Sequence, residues 1–447
     1  MVSRLLLIDE NIRDTDGHYL ELAELLMDGA DRLGVHPTLA TNLSYVATGS
    51  EPFDVWPAFH SRRMNRWSLG VDGQSRVQRS LSGKPIGGDF LTRCWQRTCD
   101  VLCSSDRRPA QMLQQWSSDF SRLLTTWNPG PNDSVLINTA DDFVMLGLAS
   151  GLQQYAAKMP LQIRAIFHFA AFDGQDNRKP HDRAMQFGQQ VNASLSAIRP
   201  HHVSLFATTE SLANQLAAVG VTAASIPYPT RDRDLAGPIK CEEPLRILMA
   251  GMPRAEKGRD QIPLFLSAID QPYLRSGQFR VAMQMRNDQW QRLIPKPLHA
   301  DYAIAVDDDD RHVGALEIVS SNLPGQEYHR WLGSADVGLF LYDPDRYVAR
   351  CSGVLLEMFI AGVPVIVPAN CWLADQVQIA GGDGSVGFIY ESMEQIPALL
   401  GQIKHEYTTI RSRSIQHAKT IRQHHSGENT MRMLGLSRVD NHTRRTA

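Results

Sequence analysis

The sequence predicts an α/β protein with two doubly wound, Rossmann-like domains. The first observation is that short apolar segments alternate with helical segments over about 130–220 and again over about 245–400. The second is Pro227–Pro244, a stretch with four prolines and alternating charges, which separates the two series as a linker would. The third is the length, because 447 residues suffice for two or three domains.

The first series opens with a predicted strand, helix and strand. Leu5–Asp9 is an apolar run, and a helix from His18 has apolar residues at helical spacing until Gly34 ends it. Pro37–Thr41 is the second strand. The same patterns predict the later strands Ser134–Thr139, Arg164–Phe169 and Val203–Thr209 and the helices Asp141–Ala157 and Glu210–Val219.

Residues 44–128 interrupt this regular pattern. Tryptophans are scattered among polar residues there, and two turn-rich pieces break the segment. Asp89–Leu124 has a mostly helical pattern, so we expect a helical insertion in the first domain. The insertion either packs on the domain or forms a lid that faces a substrate or a membrane.

The second series begins with the strand Leu245–Gly251 and the helix Arg259–Ile269. Gln402–Gly435 is helical and polar, and the basic tail Arg438–Ala447 is predicted to be disordered. Buried apolar runs between turn residues predict the further strands Phe279–Met285, Gly314–Ser320, Val337–Tyr342, Pro364–Val367 and Val386–Tyr390.

Composition and charge exclude several classes of protein. The formal net charge of −3 argues against a general nucleic-acid binder. No run of about eighteen apolar residues occurs, so no helix is expected to span a membrane. The apolar run Leu5–Ile8 is too short for a signal peptide and Asp9 follows it, so we expect a cytoplasmic protein.

A metal site is not expected. The six cysteines lack the spacing of a zinc site and are predicted to be reduced thiols. The acidic run Asp307–Asp310 is interpreted as a solvated loop. The glycine-rich piece Gly381–Gly387 follows a helix and precedes a strand, which is the reverse of a phosphate-binding loop, so it is interpreted as a turn.

The stretch Ala335–Pro368 contains the clearest candidate site. Its pattern is strand, loop, helix and strand, with Ser352 as the helix N-cap and Gly362 after its end. In such a βαβ unit the helix N-terminus lies over the carboxyl edge of the sheet, where free backbone N–H groups bind anions. Glu357 lies about one turn into the helix, where a carboxylate suits sugar hydroxyls. The alternative is an ordinary crossover helix with one solvated glutamate.

A second candidate, Gly251–Gly258, also follows a predicted strand and precedes a helix. Arg254 and Lys257 would place two cations at the carboxyl edge of the sheet. Fixed cations would stabilise the negative charge that develops on a nucleoside diphosphate when its bond to a sugar breaks. The alternative is a solvated surface turn.

Both candidates resemble the donor site of GT-B glycosyltransferases of family four. In Gly251–Gly258 the family's Lys-Gly pair is matched by Lys257 and Gly258, whereas Met252 occupies the family's arginine position and Arg254 is the substitute. The glutamate that the family often has eight positions before the helix glutamate is Ala349 here. In Ala335–Pro368 the matching residues are Ser352, Gly353, Glu357, Ala361, Gly362, Pro364, Val365 and Ile366.

Weaker similarities lie in the first domain. His168, in the segment AIFHF, resembles a histidine at the end of the matching family strand. The alternative is a core histidine bonded to a backbone carbonyl. Gly17 and His18 resemble the family's Gly-bearing loop, although a simple tight turn explains Gly17 equally well.

The resemblance implies a GT-B fold, in which two Rossmann-like domains face each other across a cleft. Residues 1–230 would be the acceptor-side domain, with the helical insertion at about 44–128, and residues 231–404 the donor-binding domain. Residues 405–447 would contain closing helices that cross back to the first domain, and the disordered tail. The implied activity is that of a retaining, metal-independent glycosyltransferase, hexosyl or related, in glycan or glycolipid synthesis.

The substrates implied are a nucleotide diphosphate sugar and an unknown glycan, lipid or small-molecule acceptor. No cofactor and no nucleic acid are expected, and a peripheral membrane contact stays open. Two other functions also stay open. The first is a non-catalytic nucleotide-sugar binder, which Ala349 favours. The second is a non-hydrolysing nucleotide-sugar epimerase, which would need several carboxylates and histidines that the sequence does not bring together.

The resemblance also implies a role for each candidate residue. No side-chain nucleophile is assigned, because attack on the face from which the leaving group departs requires none. Lys257 and Arg254 would neutralise the diphosphate, and His168 would contact the donor sugar or the developing charge. The remaining donor residues would be Ser352 and Gly353 at the diphosphate, Arg350 as a further cation and Glu357 at the ribose, with Gly17 and His18 bordering the acceptor or the phosphate.

Overall fold

The computed structural model describes residues 3–14, 18–49, 51–60, 107–155, 159–172, 180–231, 239, 244–301, 304–306, 315–319, 323 and 325–436. At residues 18, 107–109, 287–288, 300–301 and 304–306 it describes the backbone alone. The chain divides into two compact units. The first unit comprises Met1–Phe172, Asp176–Pro229 and Gly427–Ala447, and the second comprises Asp173–Gln175 and Thr230–Ser426.

Several features predicted above lie outside the described residues. They are Gly17, the acidic run Asp307–Asp310, residues 61–106 of the expected insertion, most of the linker and the basic tail. The predictions made for them stay predictions. Of the six cysteines, Cys351 and Cys371 are described, and both are free thiols.

Within the described residues, the first unit forms a parallel sheet of seven strands. They are β1 (Arg4–Ile8), β2 (His36–Asn42), β3 (Asp54–Phe59), β4 (Ser134–Ile137), β5 (Gln162–Phe167), β6 (His202–Ala207) and β7 (Ala224–Ser225). Their order is β3-β2-β1-β4-β5-β6-β7. Leu7 of β1 lies beside Leu39 of β2 and Leu136 of β4, and all three are fully buried. Such continuous apolar strands are typical of a parallel sheet with both faces covered by helices.

Helices connect these strands, and short polar side chains cap their first turns. They are α1 (His18–Arg32), α2 (Arg107–Trp127), α3 (Asp142–Gln154), α4 (Asp182–Ala197) and α5 (Glu210–Ala218). The Asp141 carboxylate accepts a hydrogen bond from the Val144 amide (2.9 Å) at the start of α3. The Thr209 hydroxyl accepts one from the Leu212 amide (3.0 Å) at the start of α5, as its N-cap position predicts.

The described parts of residues 44–128 are integral to the first unit. Strand β3, which the sequence did not predict, pairs with β2 at the edge of the sheet. On α2, Trp116 and Phe120 are fully buried and stack with ring centroids 5.4 Å apart. A Cβ on Gly147 of α3 would lie 2.5 Å from the Trp116 ring, so this glycine makes room for the indole. The scattered tryptophans thus include core residues, which their polar neighbours in the sequence concealed.

The second unit contains another parallel sheet, also of seven strands among the described residues. They are β8 (Leu245–Met249), β9 (Phe279–Gln284), β10 (Ile304–Val306), β11 (Leu316–Val319), β12 (Val337–Leu339), β13 (Val365–Pro368) and β14 (Gly387–Tyr390). Their order is β10-β11-β9-β8-β12-β13-β14. The two sheets confirm the predicted class, two doubly wound α/β domains. Strand β10 was not predicted, because only three residues form it.

The helices of this unit follow the predicted pattern with shifted ends. The predicted helix Arg259–Ile269 begins as 3₁₀ turns at Ala255–Lys257 and Arg259–Gln261 and becomes α-helical at Ile262. The loop after β12 contains a short helix that the sequence did not show. The helices are α6 (Ile262–Ile269), α7 (Asn287–Leu293), α8 (Lys296–Asp301), α9 (Gly325–Gly333), α10 (Pro344–Tyr347), α11 (Gly353–Ile360), α12 (Trp372–Ile379) and α13 (Ile396–His424).

The last described helix, α14 (Gly427–Met433), belongs to the first unit, whereas α13 belongs to the second. The expected boundary at residue 404 therefore falls inside α13, since its helical pattern continues without a stop signal. Helix α14 packs on α1 at a contact between two glycines, because a Cβ on Gly29 would lie 2.3 Å from the Gly427 carbonyl carbon. The Thr430 hydroxyl donates to the Pro227 carbonyl (3.0 Å) beside this contact.

No helix in the described part of the chain is both long enough and apolar enough to cross a membrane.

Candidate functional site

In the second unit, the candidate site lies where the strand order reverses. Strands β8 and β12 are neighbours. The chain leaves β8 towards β9 and leaves β12 towards β13, which lie in opposite directions along the strand order. Ligands of doubly wound sheets bind outside the carboxyl ends of the strands at such a switch point. The loop after β8 is the predicted Gly251–Gly258 segment, and the loop after β12 includes Asp343–Ser352. The topology thus brings together two sequence candidates that lie about a hundred residues apart.

These two loops contact each other closely. Gly258 has a left-handed backbone (φ 73°), and a Cβ there would lie 1.8 Å from the Leu341 carbonyl oxygen. Only glycine satisfies both the conformation and the close approach. The Asp343 amide donates to the Glu256 carbonyl (3.1 Å), which joins the loops a second time. The glycine of the predicted Lys-Gly pair therefore has a packing function that its position in the sequence did not reveal.

The Lys257 side chain turns back over the beginning of its own loop. A Cβ on Gly251 (φ 86°) would lie 2.4 Å from the Lys257 ammonium, so the glycine leaves the space that this ammonium occupies. The ammonium also lies over the Tyr342 ring, 5.5 Å from its centroid. Among the described residues, no carboxylate forms an ion pair with it.

Burial lowers the pKa of Lys257, and the nearby cations Arg254 and Arg350 lower it further. Three positive groups from two loops therefore act on the same region. A partly buried cation without an ion-paired carboxylate gains more than a fully exposed one when an anion binds beside it, because less water screens the attraction. The site is thus suited to a ligand with several negative charges.

Two buried tyrosines separate Lys257 from Arg350. The rings of Tyr342 and Tyr347 lie 4.5 Å apart between centroids, and the Arg350 guanidinium lies 5.3 Å from the Tyr347 centroid. Burial raises the pKa of both hydroxyls, so the rings stay neutral at the pH where the cations are charged. The sequence analysis assigned no role to either tyrosine. The only sequence signal was an aromatic residue at each end of a polar loop.

Arg254 has a different environment from Lys257. Its side chain is 62% exposed and forms a long ion pair with Glu256, with Nη1 and Oε1 3.9 Å apart. An exposed pair of this kind contributes little to stability and leaves the guanidinium mobile. Arg254 is therefore near the site but is not held in it.

Helix α11 begins at this edge of the sheet as the sequence predicts. The buried Ser352 accepts a hydrogen bond from the Leu355 amide (3.3 Å), and Gly353 is the first helical residue. Gly362 follows the helix with φ 65°. The amides of the first turn therefore face the same edge as the Lys257 loop, where they can bind an anion.

Glu357 lies farther along α11 and is half-buried. The Tyr328 hydroxyl, on α9, donates to Glu357 Oε2 (3.1 Å). This bond fixes one carboxylate oxygen and was not foreseen from the sequence. Ala349 is fully buried, so no carboxylate occupies the position of the family's first glutamate.

A small pocket lies beside these groups. Its lining includes Gly251, Pro253, Lys257, Gln284 and Tyr342. The Gln284 side chain accepts from the Gly251 amide (2.9 Å) and so supports the loop. Cys351 lies in the neighbouring loop, and burial raises the pKa of its thiol, which disfavours the reactive thiolate.

The switch point of the first unit lies between β1 and β4 and has a different content. Asp9 is fully buried there. Its carboxylate accepts from the Asn11 amide (3.0 Å), Asn11 Nδ2 (2.9 Å), Asn138 Nδ2 (2.8 Å) and Thr139 Oγ1 (3.2 Å). Burial raises the pKa of Asp9, and these hydrogen bonds oppose the rise. No sequence pattern indicated this cluster, although Asp9, Asn138 and Thr139 are the last residues of two predicted strands.

The predicted residues of the first unit are only partly described. His168 directly follows β5, and its Nε2 donates to the Asn138 carbonyl (2.6 Å) while its ring meets Tyr228 edge-on. This is the bond to a backbone carbonyl that was expected if His168 is a core histidine. A contact with a donor sugar stays a prediction. His18 begins α1, and Gly17 lies outside the described residues. No group of three His, Cys, Asp or Glu in the described chain could hold a metal ion.

Comparison with solved structures identifies the architecture. An α,α-trehalose-phosphate synthase (UDP-forming) from Burkholderia xenovorans, in complex with glucose-6-phosphate, is 11% identical with a TM-score of 0.60, over 97% of this chain and 100% of that chain. A glycosyltransferase from Rickettsia africae is 12% identical with a TM-score of 0.59, over 96% of both chains. A sucrose-phosphate synthase from Thermosynechococcus elongatus is 14% identical with a TM-score of 0.55, over 97% of both chains. The fold is GT-B.

At these identities the similarity establishes the GT-B fold and leaves the reaction to be argued from the site. No family model matches the sequence, and no curated protein matches it. Within the GT-B fold, the second unit contains Lys257, Arg254, Arg350, Ser352, Gly353 and Glu357 at one edge of its sheet. The sequence resemblance predicted a donor site from these residues, and that role stays a prediction.

Proposed function

We propose that this chain is a retaining glycosyltransferase, similar to those of family four, that transfers a sugar from a nucleoside diphosphate sugar. The observation that supports this most is the meeting of the Gly251–Gly258 loop and the Asp343–Ser352 loop at the switch point of the second unit. Their contact places the Lys257 ammonium, two arginines and the first turn of α11 at one edge of the sheet. Such an edge matches the charge of a diphosphate.

In this proposal the cations stabilise the leaving group. When the bond between the anomeric carbon and the diphosphate oxygen breaks, its electron pair moves onto the diphosphate. Lys257 is positioned for that charge, and no carboxylate among the described residues forms an ion pair with it, so its ammonium can act on the diphosphate. Arg254 and Arg350 supply further positive charge. The backbone amides at Ser352 and Gly353 bind the remaining phosphate oxygens.

Glu357 orients the nucleoside. Its Oε2 accepts a hydrogen bond from the Tyr328 hydroxyl, which restrains the carboxylate. A carboxylate there accepts charge-assisted hydrogen bonds from the ribose hydroxyls. Because Ala349 replaces the family's first glutamate, the sugar would be held by other groups, such as the backbone amides of the Asp343–Ser352 loop.

The transfer step needs no side-chain nucleophile. The acceptor oxygen forms its bond to the anomeric carbon on the face from which the diphosphate leaves, and its proton passes to the leaving diphosphate. Sugar configuration is retained, and neither a metal ion nor a cofactor is required because protein cations neutralise the leaving group. His168 would contact the donor sugar or the developing charge, and Gly17 and His18 would border the acceptor.

The similar structures suggest the class of substrates. The Burkholderia synthase is described as UDP-forming and binds glucose-6-phosphate. We therefore propose a UDP-sugar donor and a small-molecule acceptor as the first substrates to test, ahead of a glycan or lipid acceptor at a membrane. A cytoplasmic location also remains a prediction.

A donor and acceptor panel tests the proposed function. UDP-, GDP- and ADP-sugars are incubated with sugars, sugar phosphates and lipid acceptors, and the products are analysed by mass spectrometry and by NMR of the anomeric configuration. The expected product has the donor's anomeric configuration, and Lys257→Met should lower its formation by about a hundredfold or more. An isomerised donor without transfer would indicate the epimerase, and binding without turnover would indicate the non-catalytic binder that Ala349 keeps open. An inverted product would overturn the retaining mechanism.

A further inference from the structure

Two cations at the candidate site are connected through aromatic rings. The Lys257 ammonium lies over Tyr342, Tyr342 packs against Tyr347, and the Arg350 guanidinium lies over Tyr347. The Lys257 Nζ lies 5.5 Å from the Tyr342 ring centroid, and the two ring centroids are 4.5 Å apart. The Arg350 Cζ lies 5.3 Å from the Tyr347 ring centroid. Both tyrosines are almost fully buried, at 5% and 2% exposure, so the packed protein fixes the rings. Each of the two cations therefore has a fixed aromatic ring as a neighbour.

Aromatic partners differ from carboxylates in what they do to a cation. A ring face attracts a cation through its quadrupole and adds no net charge. A carboxylate would hold the cation equally well and would cancel its charge. Arg254 and Arg350 both lower the pKa of Lys257 electrostatically, so Lys257 and Arg350 repel each other across this cluster. The cluster thus keeps two like charges close together, and a polyanion would relieve that repulsion.

We propose that Tyr342 and Tyr347 are positioning residues, and that they hold Lys257 and Arg350 as the pair of cations that binds the diphosphate. The assignment changes the expected role of Arg254, which the sequence resemblance made the partner of Lys257. Arg254 is mostly exposed and pairs with Glu256, whereas Arg350 is held against a buried ring. The proposal rests on the proposed function for the identity of the diphosphate.

The chemistry of the rings agrees with this role. Burial raises the pKa of both tyrosine hydroxyls, so neither becomes an anion that would neutralise its cation. The property required is the ring and not the hydroxyl. Phenylalanine should therefore replace Tyr347 in this function, and leucine should not.

Binding of inorganic pyrophosphate, UDP and uridine tests the proposal. The three ligands are titrated by calorimetry into the full chain and into Tyr347→Leu, Tyr347→Phe, Arg350→Gln and Arg254→Gln. Tyr347→Leu and Arg350→Gln should each weaken the binding of pyrophosphate and of UDP by about tenfold, which is the scale of a desolvated cation contact. The affinity for uridine should not change. Tyr347→Phe should bind pyrophosphate and UDP within about twofold of the native chain. Arg254→Gln should lose less affinity than Arg350→Gln, because the Arg254 side chain is mostly exposed to solvent.

A double variant separates positioning from general damage. If Tyr347 acts through Arg350, Tyr347→Leu combined with Arg350→Gln should bind UDP about as weakly as Arg350→Gln alone. Additive losses, a loss in Tyr347→Phe as large as in Tyr347→Leu, or a larger loss in Arg254→Gln than in Arg350→Gln would each overturn the proposal. The comparison of Arg254→Gln with Arg350→Gln decides which arginine is the partner of Lys257, even where Tyr347→Leu does not fold.

The proposed function and this inference fail in different ways. A native chain that binds pyrophosphate through these residues and transfers no sugar would overturn the glycosyltransferase and leave the cation pair standing. A native chain that does not bind pyrophosphate at millimolar concentration would overturn the cation pair, whatever sugar it transfers.

Discussion

The switch points of the two units have the same topology, but a buried carboxylate lies at the first and an ammonium at the second. In the first unit the buried Asp9 carboxylate accepts four hydrogen bonds from neighbouring residues. In the second unit the Lys257 ammonium has rings and a glycine as its contacts and no carboxylate among the described residues. The Asp9 carboxylate is satisfied by hydrogen bonds within the protein, whereas the proposed partner of the Lys257 ammonium is a ligand. The fold supplies the location of a site, and the hydrogen bonding around it decides whether a ligand is needed there.

The largest expected effect is on catalysis at the second switch point. Lys257→Met keeps the length of the side chain and removes its charge, so transfer should fall by about a hundredfold or more. Lys404→Met is the matched control, because Lys404 binds Gln278 away from this site and its loss should leave the rate unchanged. The measurement is kcat/KM with the donor found by the panel. Full activity in Lys257→Met would show that Lys257 has no role in transfer and that the second switch point does not differ from the first in this respect.

Glu357 tests whether the donor edge also recognises the nucleoside. Glu357→Gln keeps the shape of the side chain and removes the charge, so nucleoside diphosphate binding should weaken by about 1.5–3 kcal/mol. Tyr328→Phe removes only the bond that orients the carboxylate and should cost less, about 0.5–1.5 kcal/mol. Calorimetric titration with UDP measures both. Unchanged affinity in Glu357→Gln would make this residue an ordinary glutamate on a crossover helix.

The first switch point should respond in stability instead of ligand binding. Asp9→Ala removes the acceptor of the partly buried Asn11 and of the buried Asn138 and Thr139, which should lower the free energy of unfolding by about 1–3 kcal/mol. UDP affinity should be unaffected. Urea denaturation and a UDP titration of the same variant provide both numbers. A variant that is stable but inactive would show that Asp9 also has a direct role in the reaction.

The pH dependence of UDP binding should reflect Lys257. The protonated ammonium binds the diphosphate, so affinity is greatest below the pKa of Lys257 in the free protein and falls as the pH rises through it. Because burial lowers this pKa from 10.5, the fall should begin at a lower pH than for an exposed lysine and amount to a few-fold, about 1 kcal/mol, by alkaline pH. Lys257→Arg stays charged and should bind with little pH dependence over this range. Identical profiles for both proteins would assign the titration elsewhere.

The smallest expected effect is that of chelation. If protein cations neutralise the leaving group, EDTA should change the transfer rate by less than about twofold, well below one factor of ten. The assay compares initial rates with EDTA and with added Mg²⁺ or Mn²⁺. A strict requirement for either ion would contradict the proposed role of Lys257 as the main positive charge. It would also make Asp307–Asp310 candidate metal ligands.

Sequence patterns predicted the sheets and the two donor loops because both depend on local chemistry. A buried strand, a cap such as Ser352 and a stop such as Gly362 each leave a mark within a few residues. The topology then explains why two distant loops meet. Strand β3 was missed because its mixed burial at the sheet edge breaks the expected alternation.

The details of the site could not be predicted, because they arise from contacts between distant residues. Nothing near Gly258 in the sequence indicates that the Leu341 carbonyl passes beside it. The ring partners of Lys257 and Arg350 likewise come from the fold, and so does the bond between Tyr328 and Glu357. Sequence spacing identified which residues gather at the edge, but it ranked Arg254 above Arg350 because it cannot show exposure.

The contact between Gly29 and Gly427 determines when the first unit can be completed during protein synthesis. A ribosome adds roughly 5–20 residues per second, so α14 emerges some 20 to 80 seconds after the helix that it covers. Throughout that interval the nascent chain exposes the face of α1 that α14 will later cover, while all of the second unit is translated. The domain whose synthesis begins first is therefore completed last, after all of the second unit has been made.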